Sequence, residues 1–445
     1  MTLSLIYFLY SVLLGAALAL SSPFWLYQAL RHGKYRTGLA ARMGQVPAHL
    51  SSLAGSARVI WVHAVSVGEV LAVSGLVEHI RRNLPECRVL VSTTTDTGQE
   101  LARKRFGEEN VFYFPLDFAS AIRPYLQLLK PELIILAETE FWPNFLRLAH
   151  ASGARIAVVN GRISDRSWPR YRRFRWALRK MLAQVDLFLA QTEEDRARLL
   201  SIGADAARVE VTGNLKFDIS SPAPPPVLES LRRAFAVEKA HPVLVCGSTV
   251  DDEEPVLLKA FENVRVEHPR AVMILAPRHP ERFNAVANLL QQLGMPFTRR
   301  SLWAGEPLAG GVFLVDTIGE LAALYGLADL AFVGGSLFPR GGHNIIEPAR
   351  HGVAIVVGPH TENFRDIVTL FQRRDAVRVA GLSDLPLTFM HLLAHDAERR
   401  ALGQRAADTV HSQMGATDRT IAALQTLLAE NGVGPVATTQ AAHTD

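Results

Sequence analysis

Two hydrophobic patterns alternate along most of this chain. Short apolar runs rich in Val, Ile and Leu are separated by longer stretches whose apolar positions recur every three or four residues. The first pattern marks strands buried on both faces, and the second marks helices that cover them. In the first half the predicted strands are Val59–His63, Val89–Ser92, Val111–Phe114, Leu133–Ala137, Ile156–Asn160 and Leu187–Ala190. Thr192-Glu193-Glu194-Asp195 has the form of an N-cap followed by first-turn acids and opens one of the intervening helices. A second series gives Val243–Cys246, Val272–Leu275, Val312–Val315, Leu330–Val333 and Ala354–Val357. Each series builds an α/β parallel sheet with helices on both faces, so the expected architecture is two Rossmann-like doubly wound domains facing a cleft. Ligands bind such sheets beyond the carboxyl ends of their strands.

Ser220-Ser221-Pro222-Ala223-Pro224-Pro225-Pro226 interrupts the alternation. Prolines at this density continue neither helix nor sheet, so 220–226 is expected to be an extended linker. It separates an N-terminal domain over 31–219 from a C-terminal domain over 227–431. The small polar stretch 432–445 reads as a disordered tail.

The first thirty residues carry no charge, and Leu3 to Leu20 is almost wholly apolar. At 1.5 Å per residue that run can just cross a hydrocarbon core of roughly 30 Å. Tyr7, Tyr10, Trp25 and Tyr27 are candidates for an interfacial belt, and Arg31, Lys34, Arg36 and Arg42 follow at once. A membrane anchor over 1–30, with the rest of the chain on the cytoplasmic side, is therefore expected. Ala17-Leu18-Ala19 could serve as a signal-peptide cleavage site, but no basic segment precedes the apolar run.

Composition adds little beyond this. Lys and Arg number 47 against 43 Asp and Glu, a surplus of +4 that is too small to point to nucleic acid. Cys87 and Cys246 lie far apart beside strand-like runs and read as reduced core residues. The sequence contains no G-x-G-x-x-G, Walker A, H-E-x-x-H or D-x-D motif, which argues against dinucleotide oxidoreductases, P-loop NTPases, zinc proteases and metal-dependent transferases. No cofactor or metal is called for. One local cluster stands out: Arg162 to Lys180 holds eight basic residues with Trp168, Tyr171, Phe174 and Trp176 interleaved, and Asp165 as its one acid. It suits an anionic lipid surface or a phosphorylated lipid; a solvated basic helix face is the plainer alternative.

Candidate chemistry sits at the predicted strand ends. Ala64-Val65-Ser66-Val67-Gly68-Glu69 follows the first strand and places Glu69 at a helix N-terminus, where the dipole would keep it ionised. An ionised carboxylate there could take a proton from a hydroxyl, or could simply complement its own helix. In Glu138-Thr139-Glu140-Phe141-Trp142-Pro143-Asn144, Glu140 reads as a helix first-turn acid. Glu138, directly after an apolar strand, is semi-buried and wants a cation. Lys216 in Gly213-Asn214-Leu215-Lys216-Phe217-Asp218 is one candidate partner. Ser92-Thr93-Thr94-Thr95-Asp96-Thr97-Gly98 is a capping loop that could also meet phosphate or sugar hydroxyls. In the second half, Pro277-Arg278-His279-Pro280, Asp316-Thr317-Ile318-Gly319-Glu320 and Gly334-Gly335-Ser336 through Glu347 together suggest a nucleotide pocket, with Arg278 on phosphate and glycine-loop amides close by.

Taken together, the motifs from His63 to Glu69, Glu138 to Asn144, Gly213 to Asp218, Pro277 to Phe283 and Gly341 to Glu347 resemble the Kdo (3-deoxy-D-manno-octulosonate) transferases of lipopolysaccharide synthesis. The resemblance runs in order from the anchor to about residue 370. It implies a GT-B glycosyltransferase fold and an inverting, metal-free transfer of Kdo from CMP-Kdo to a lipid A precursor at the inner membrane. It further implies Glu69 as general base and Glu138 and Lys216 as transition-state stabilisers. Pro277, Arg278, Ile318, Gly319, Glu320, Asn344, Ile345, Ile346 and Glu347 would bind CMP. Departures are confined to Ala137, Phe141, Asn214 and the Ile345-Ile346 pair, and they leave the charged set intact. Alternatives in other classes are a UDP-sugar transferase, a soluble sugar-nucleotide epimerase and a non-catalytic, membrane-tethered lipid- or nucleotide-binding module.

Overall fold

The computed structural model describes residues 3–32, 38–51, 58–219 and 225–429. The chain divides into two compact units, one of Met1–Ile219 with Met414–Asp445 and one of Ser220–Gln413.

The first unit is built on seven strands: β1 (Arg58–His63), β2 (Cys87–Thr93), β3 (Val111–Tyr113), β4 (Leu133–Ala137), β5 (Arg155–Gly161), β6 (Leu187–Ala190) and β7 (Val209–Val211). They lie in the order β3-β2-β1-β4-β5-β6-β7, all parallel. Alternation along each strand feeds two cores. Trp61, Ile134, Val158 and Phe188 point into one, and Ile60, Val62, Ile135 and Leu189 into the other. Trp61 anchors the first core against Phe112 and Phe145, with ring centroids 5.2 and 5.0 Å away.

The second unit repeats the plan with β8 (Val243–Thr249), β9 (Val272–Pro277), β10 (Phe297–Arg299), β11 (Val312–Leu314), β12 (Leu330–Val333), β13 (Ala354–Val357) and β14 (Arg378–Val379). Its order is β10-β11-β9-β8-β12-β13-β14, again parallel throughout. Three strands had no counterpart in the predicted set: β7, β10 and β14. Each is only two or three residues long and partly exposed, so it lacks a continuous apolar run.

Six helices matter below: α1 (Leu3–His32), α2 (Val67–Asn83), α3 (Pro143–Ala151), α4 (Arg175–Leu182), α5 (Glu253–Glu267) and α6 (Ala416–Ala429). Helix α1 contains Ile6–Pro23, long and apolar enough to cross a membrane by length and composition. Its expected flanks at Trp25, Tyr27, Arg31, Lys34 and Arg36 lie outside the described side chains.

Two expected boundaries differ. Pro226 opens the helix Pro226–Glu238 at its first position, where a missing N–H costs nothing. Residues 220–224 of the expected linker and the expected tail 432–445 lie outside the described residues. Helix α6, assigned from sequence to the C-terminal domain, instead belongs to the first unit. Its Ile421, Leu424, Leu427 and Leu428 join the core beneath β1 and β4, and both Asp218 carboxylate oxygens accept backbone N–H groups at its start, from Gly415 and Thr417.

Candidate functional site

The end of β1 turns into α2 through Ser66, whose hydroxyl accepts the backbone N–H of Glu69 while the Glu69 carboxylate accepts Val65 N–H at 2.7 Å and the Ser66 hydroxyl at 3.0 Å. This is a reciprocal cap of the S-x-x-E type, so Glu69 does complement its own helix. It is not held ionised, however. Burial and then the charge of Glu138, with a smaller effect from Glu140, push its carboxyl up to about 7. Against the helix dipole, which favours the ionised form, burial and the two neighbouring carboxylates prevail.

Those carboxylates stand on the loop after β4, the strand beside β1. Glu138 sits in left-handed backbone at φ 56°, a strained state for a residue with a Cβ. Lys216 Nζ donates to its Oε1 at 3.2 Å, and both side chains are three-quarters or more covered. Lys216 is itself held in place. Asn214 Oδ1 accepts Lys216 N–H, Asn214 Nδ2 donates to Gln191, Gln191 donates to Asn160 O, and Asn160 Oδ1 accepts Leu215 N–H. Glu140 is not a first-turn residue, because α3 begins only at Pro143. Burial, then Glu138, pushes its carboxyl up to about 7 as well. Two further motif residues have packing or capping partners. His63 is fully buried, stacked on Phe114 with centroids 3.8 Å apart and held neutral by burial, its pKa pushed down to about 3. Thr95 caps the helix Asp96–Phe106 by accepting Gly98 N–H.

In the second unit, Arg278 is exposed just past the end of β9, following the buried Pro277. Past β11, Ile318 is 70% exposed and Gly319 is left-handed, while Arg300 holds Glu320 through two hydrogen bonds of 3.1 and 2.8 Å. After β12, Asn344 accepts Ile346 N–H and donates to Glu347 just ahead of the helix Ile346–Arg350. Burial raises the Glu347 pKa, while Asn344 and the positive charges of Arg278 and Arg350 oppose that shift. Arg278 and Glu347 are thus electrostatic neighbours at the carboxyl ends of parallel strands. Ile345 and Ile346 are fully buried, so any contact they make with a ligand is through backbone.

One expectation fails. The N–H groups of Gly335, Ser336 and Leu337 do not await a phosphate. All three donate, at 2.8 to 2.9 Å, to the fully buried carboxylate of Glu253 on α5, which also accepts Val250 N–H. Glu253 was missed because Asp251-Asp252-Glu253-Glu254 reads as ordinary first-turn acids. His343 was missed too. Its ring lies against Gly335, where an added Cβ would come within 2.7 Å of it. Burial, then the charges of Arg278 and His279, keep it neutral with a pKa pushed down to about 4.

Residues 37–219 match the family model described as 3-deoxy-D-manno-octulosonic-acid transferase. A 3-deoxy-D-manno-octulosonic acid transferase of Bordetella pertussis is 37% identical over 90% of this chain and 95% of its own length. The chain belongs to the Kdo transferase family. A second member, from Haemophilus influenzae, is 32% identical over 91% of this chain and 94% of its own. Membership makes the protein a glycosyltransferase of lipopolysaccharide synthesis that handles Kdo. The solved UDP-GlcNAc 2-epimerase of Neisseria meningitidis shares the two-sheet GT-B architecture, with a TM-score of 0.55 at 12% identity over 83% of this chain and all of that one. That likeness concerns the fold alone. In the transferase, the sequence-predicted Glu69, Glu138 and Lys216 stand together in the first unit, and Arg278 and Glu347 stand together in the second.

Proposed function

We propose that this transferase moves Kdo from CMP-Kdo to a hydroxyl of the lipid A precursor lipid IVA, with inversion, at the cytoplasmic face of the inner membrane. Glu69 is the general base. The observation that carries this reading is the Glu69 carboxyl, pushed up to about 7 at a strand end beside the Glu138–Lys216 pair. A base whose pKa lies near the working pH is free to accept a proton and strong enough to want one.

The acceptor oxygen bonds to the ketosidic carbon of Kdo, the bond from that carbon to the phosphate oxygen breaks, and CMP leaves with the electron pair. The acceptor proton passes to Glu69. Positive charge gathers on the sugar as the bond to phosphate stretches. Glu138, held by Lys216, faces that change as a fixed charge pair. Arg278 balances the departing phosphate, with Pro277 beside it. Ile318, Gly319 and Glu320 form a shelf for the base or ribose, and Asn344, Ile345, Ile346 and Glu347 complete the grip on CMP. The basic helices Trp168–Arg173 and α4, which leave Phe174 and Trp176 half exposed between and on them, support a membrane-bound acceptor.

The test is an assay of purified protein with CMP-Kdo and a tetra-acylated lipid A precursor, following free CMP and counting added sugars by mass. Kdo on the product and loss of transfer by roughly 100-fold or more in Glu69→Gln are expected. Transfer supported by a UDP-sugar in place of CMP-Kdo, or near-normal turnover in Glu69→Gln, would sink the reading.

A further inference from the structure

The apolar helix α1 is docked to the body of the first unit at the end where a spanning helix would be farthest from it. Tyr7 is 7% exposed, and its hydroxyl accepts the Gln184 side-chain amide at 2.6 Å. The Arg147 guanidinium lies 4.9 Å over its ring. One turn on, Ser11 accepts Asn144 Nδ2 at 3.0 Å, and Tyr10 faces the buried carboxylate of Asp117. Positions 7, 10 and 11 form one helical face. Their partners belong to α3 (Asn144 and Arg147), to the loop after β3 (Asp117) and to the residues just after α4 (Gln184). Asp117 also accepts Asn144 and Phe145 N–H, so it caps α3 while it meets α1.

These contacts conflict with a crossing. From Tyr7 to Pro23 a helix rises about 24 Å. If Ile6–Pro23 crossed with the rest of the chain on one side, Tyr7 would stand near the opposite face. Asp117, Asn144, Arg147 and Gln184 would then have to follow it through hydrocarbon, where charged and amide groups are strongly disfavoured. The side of α1 turned away from the body is apolar: Phe8, Val12, Leu13 and Leu20 are 64, 51, 69 and 84% exposed. Gln184, which meets Tyr7 on the clamped side, stands two residues past the end of α4, where Trp176 is 55% exposed among Arg175, Arg179 and Lys180. An apolar stripe bordered by half-exposed aromatic and basic side chains fits the boundary between acyl chains and anionic headgroups.

We infer that α1 lies along the membrane surface instead of crossing it, its Tyr7–Ser11 face clamped to the globular body and its Phe8–Leu13 face immersed in one leaflet of an anionic bilayer. The first unit is then held against the bilayer, with the loop carrying Glu138 and Glu140, which leads directly into α3, kept close to the lipid surface.

Phe8→Cys and Leu20→Cys, made singly in the full chain and spin-labelled, test this by immersion depth in phosphatidylglycerol–phosphatidylethanolamine vesicles. Cys87 and Cys246 are buried and leave the background clean. Oxygen and nickel-chelate accessibility should place both labels at depths within about one helical turn, 5 Å, of each other, with oxygen access rising several-fold when vesicles are added. A difference approaching about 18 Å, the rise over the twelve residues between them, means that the helix crosses and overturns the inference. So does an unchanged oxygen access, which means that another protein chain or a second copy covers the face. Sugar transfer is not measured, so neither outcome bears on donor or acceptor.

Discussion

Of the three carboxyl groups at the ends of β1 and β4, Glu138 is matched by Lys216 at 3.2 Å, whereas Glu69 and Glu140 are both pushed up to about 7. As Glu69 must be ionised to take a proton, kcat/KM should fall about tenfold per pH unit below that value. Glu140→Gln removes a negative neighbour, lowers the Glu69 pKa and should move the acid limb to lower pH; an unmoved limb would show that the two do not interact. The sign for stability is opposite. Both groups have folded pKa values above the ordinary 4.5, so they favour the folded state fully below pH 4.5 and lose that contribution as pH rises through 7. Urea unfolding at pH 5 and pH 8 should therefore show the Glu69→Gln/Glu140→Gln variant gaining on the wild type at the higher pH. The strain at Glu138, φ 56°, gives a second prediction. Left-handed backbone costs a residue with a Cβ about 1 kcal/mol or more. Glu138→Gly should consequently fold at least as stably as the wild type by thermal melting while losing transfer. Lower stability together with intact transfer would mean that the charge serves the fold and not the reaction.

At the scale of elements, the glycine loop after β12 is set by a helix elsewhere in the chain. One carboxylate at the start of α5 accepts four backbone N–H groups, three of them from successive residues of that loop. Glu253→Ala leaves four donors without an acceptor in a dry site and should cost about 3–5 kcal/mol in chemical denaturation. Glu253→Gln, which keeps the volume and one acceptor oxygen, should cost less; equal costs would mean that the full carboxylate charge, and not volume or a single acceptor oxygen, holds the loop. This loop also shows where the sequence could and could not be read. Runs such as Leu133–Ala137 and Leu330–Val333 were legible to the residue because strands covered on both faces have nothing but apolar positions. The short strands β7, β10 and β14 carry no such run. The charged residues at strand ends could be picked out, yet which ones meet could not: Glu138 and Lys216 are 78 positions apart, and Glu253 and Gly335 are 82 apart. Ile345 and Ile346 fall within a motif between the polar residues Asn344 and Glu347, and only the fold shows that their side chains are core. Glycines were read as room for a phosphate when the space beside them was already taken by a carboxylate.

At the scale of the whole molecule, the chain leaves the first unit at Ile219 and returns to it at Met414. The return is sealed by a carboxylate nearly two hundred residues upstream, since Asp218 caps α6 through Gly415 and Thr417. Ile421, Leu424, Leu427 and Leu428 are each 7% exposed or less and lie in the same core as Ile60, Leu76 and Ile135. Fully burying an aliphatic side chain stabilises by about 1.5–3 kcal/mol, so removing all four withdraws on the order of 6 kcal/mol or more, an upper range given compact unfolded chains. That is comparable to the whole net stability of an ordinary domain. A chain ending at Gln413 should therefore lose hydrogen-exchange protection in α2, which packs against α6, while β8, β9, β12 and β13 keep theirs. Supplying α6 as a separate peptide should restore protection to α2 in a concentration-dependent way. If α2 stays protected in the truncated chain, the first unit is complete without α6; if the second unit loosens as well, the two sheets unfold as one cooperative body, and the division at residue 414 does not describe how the molecule holds together.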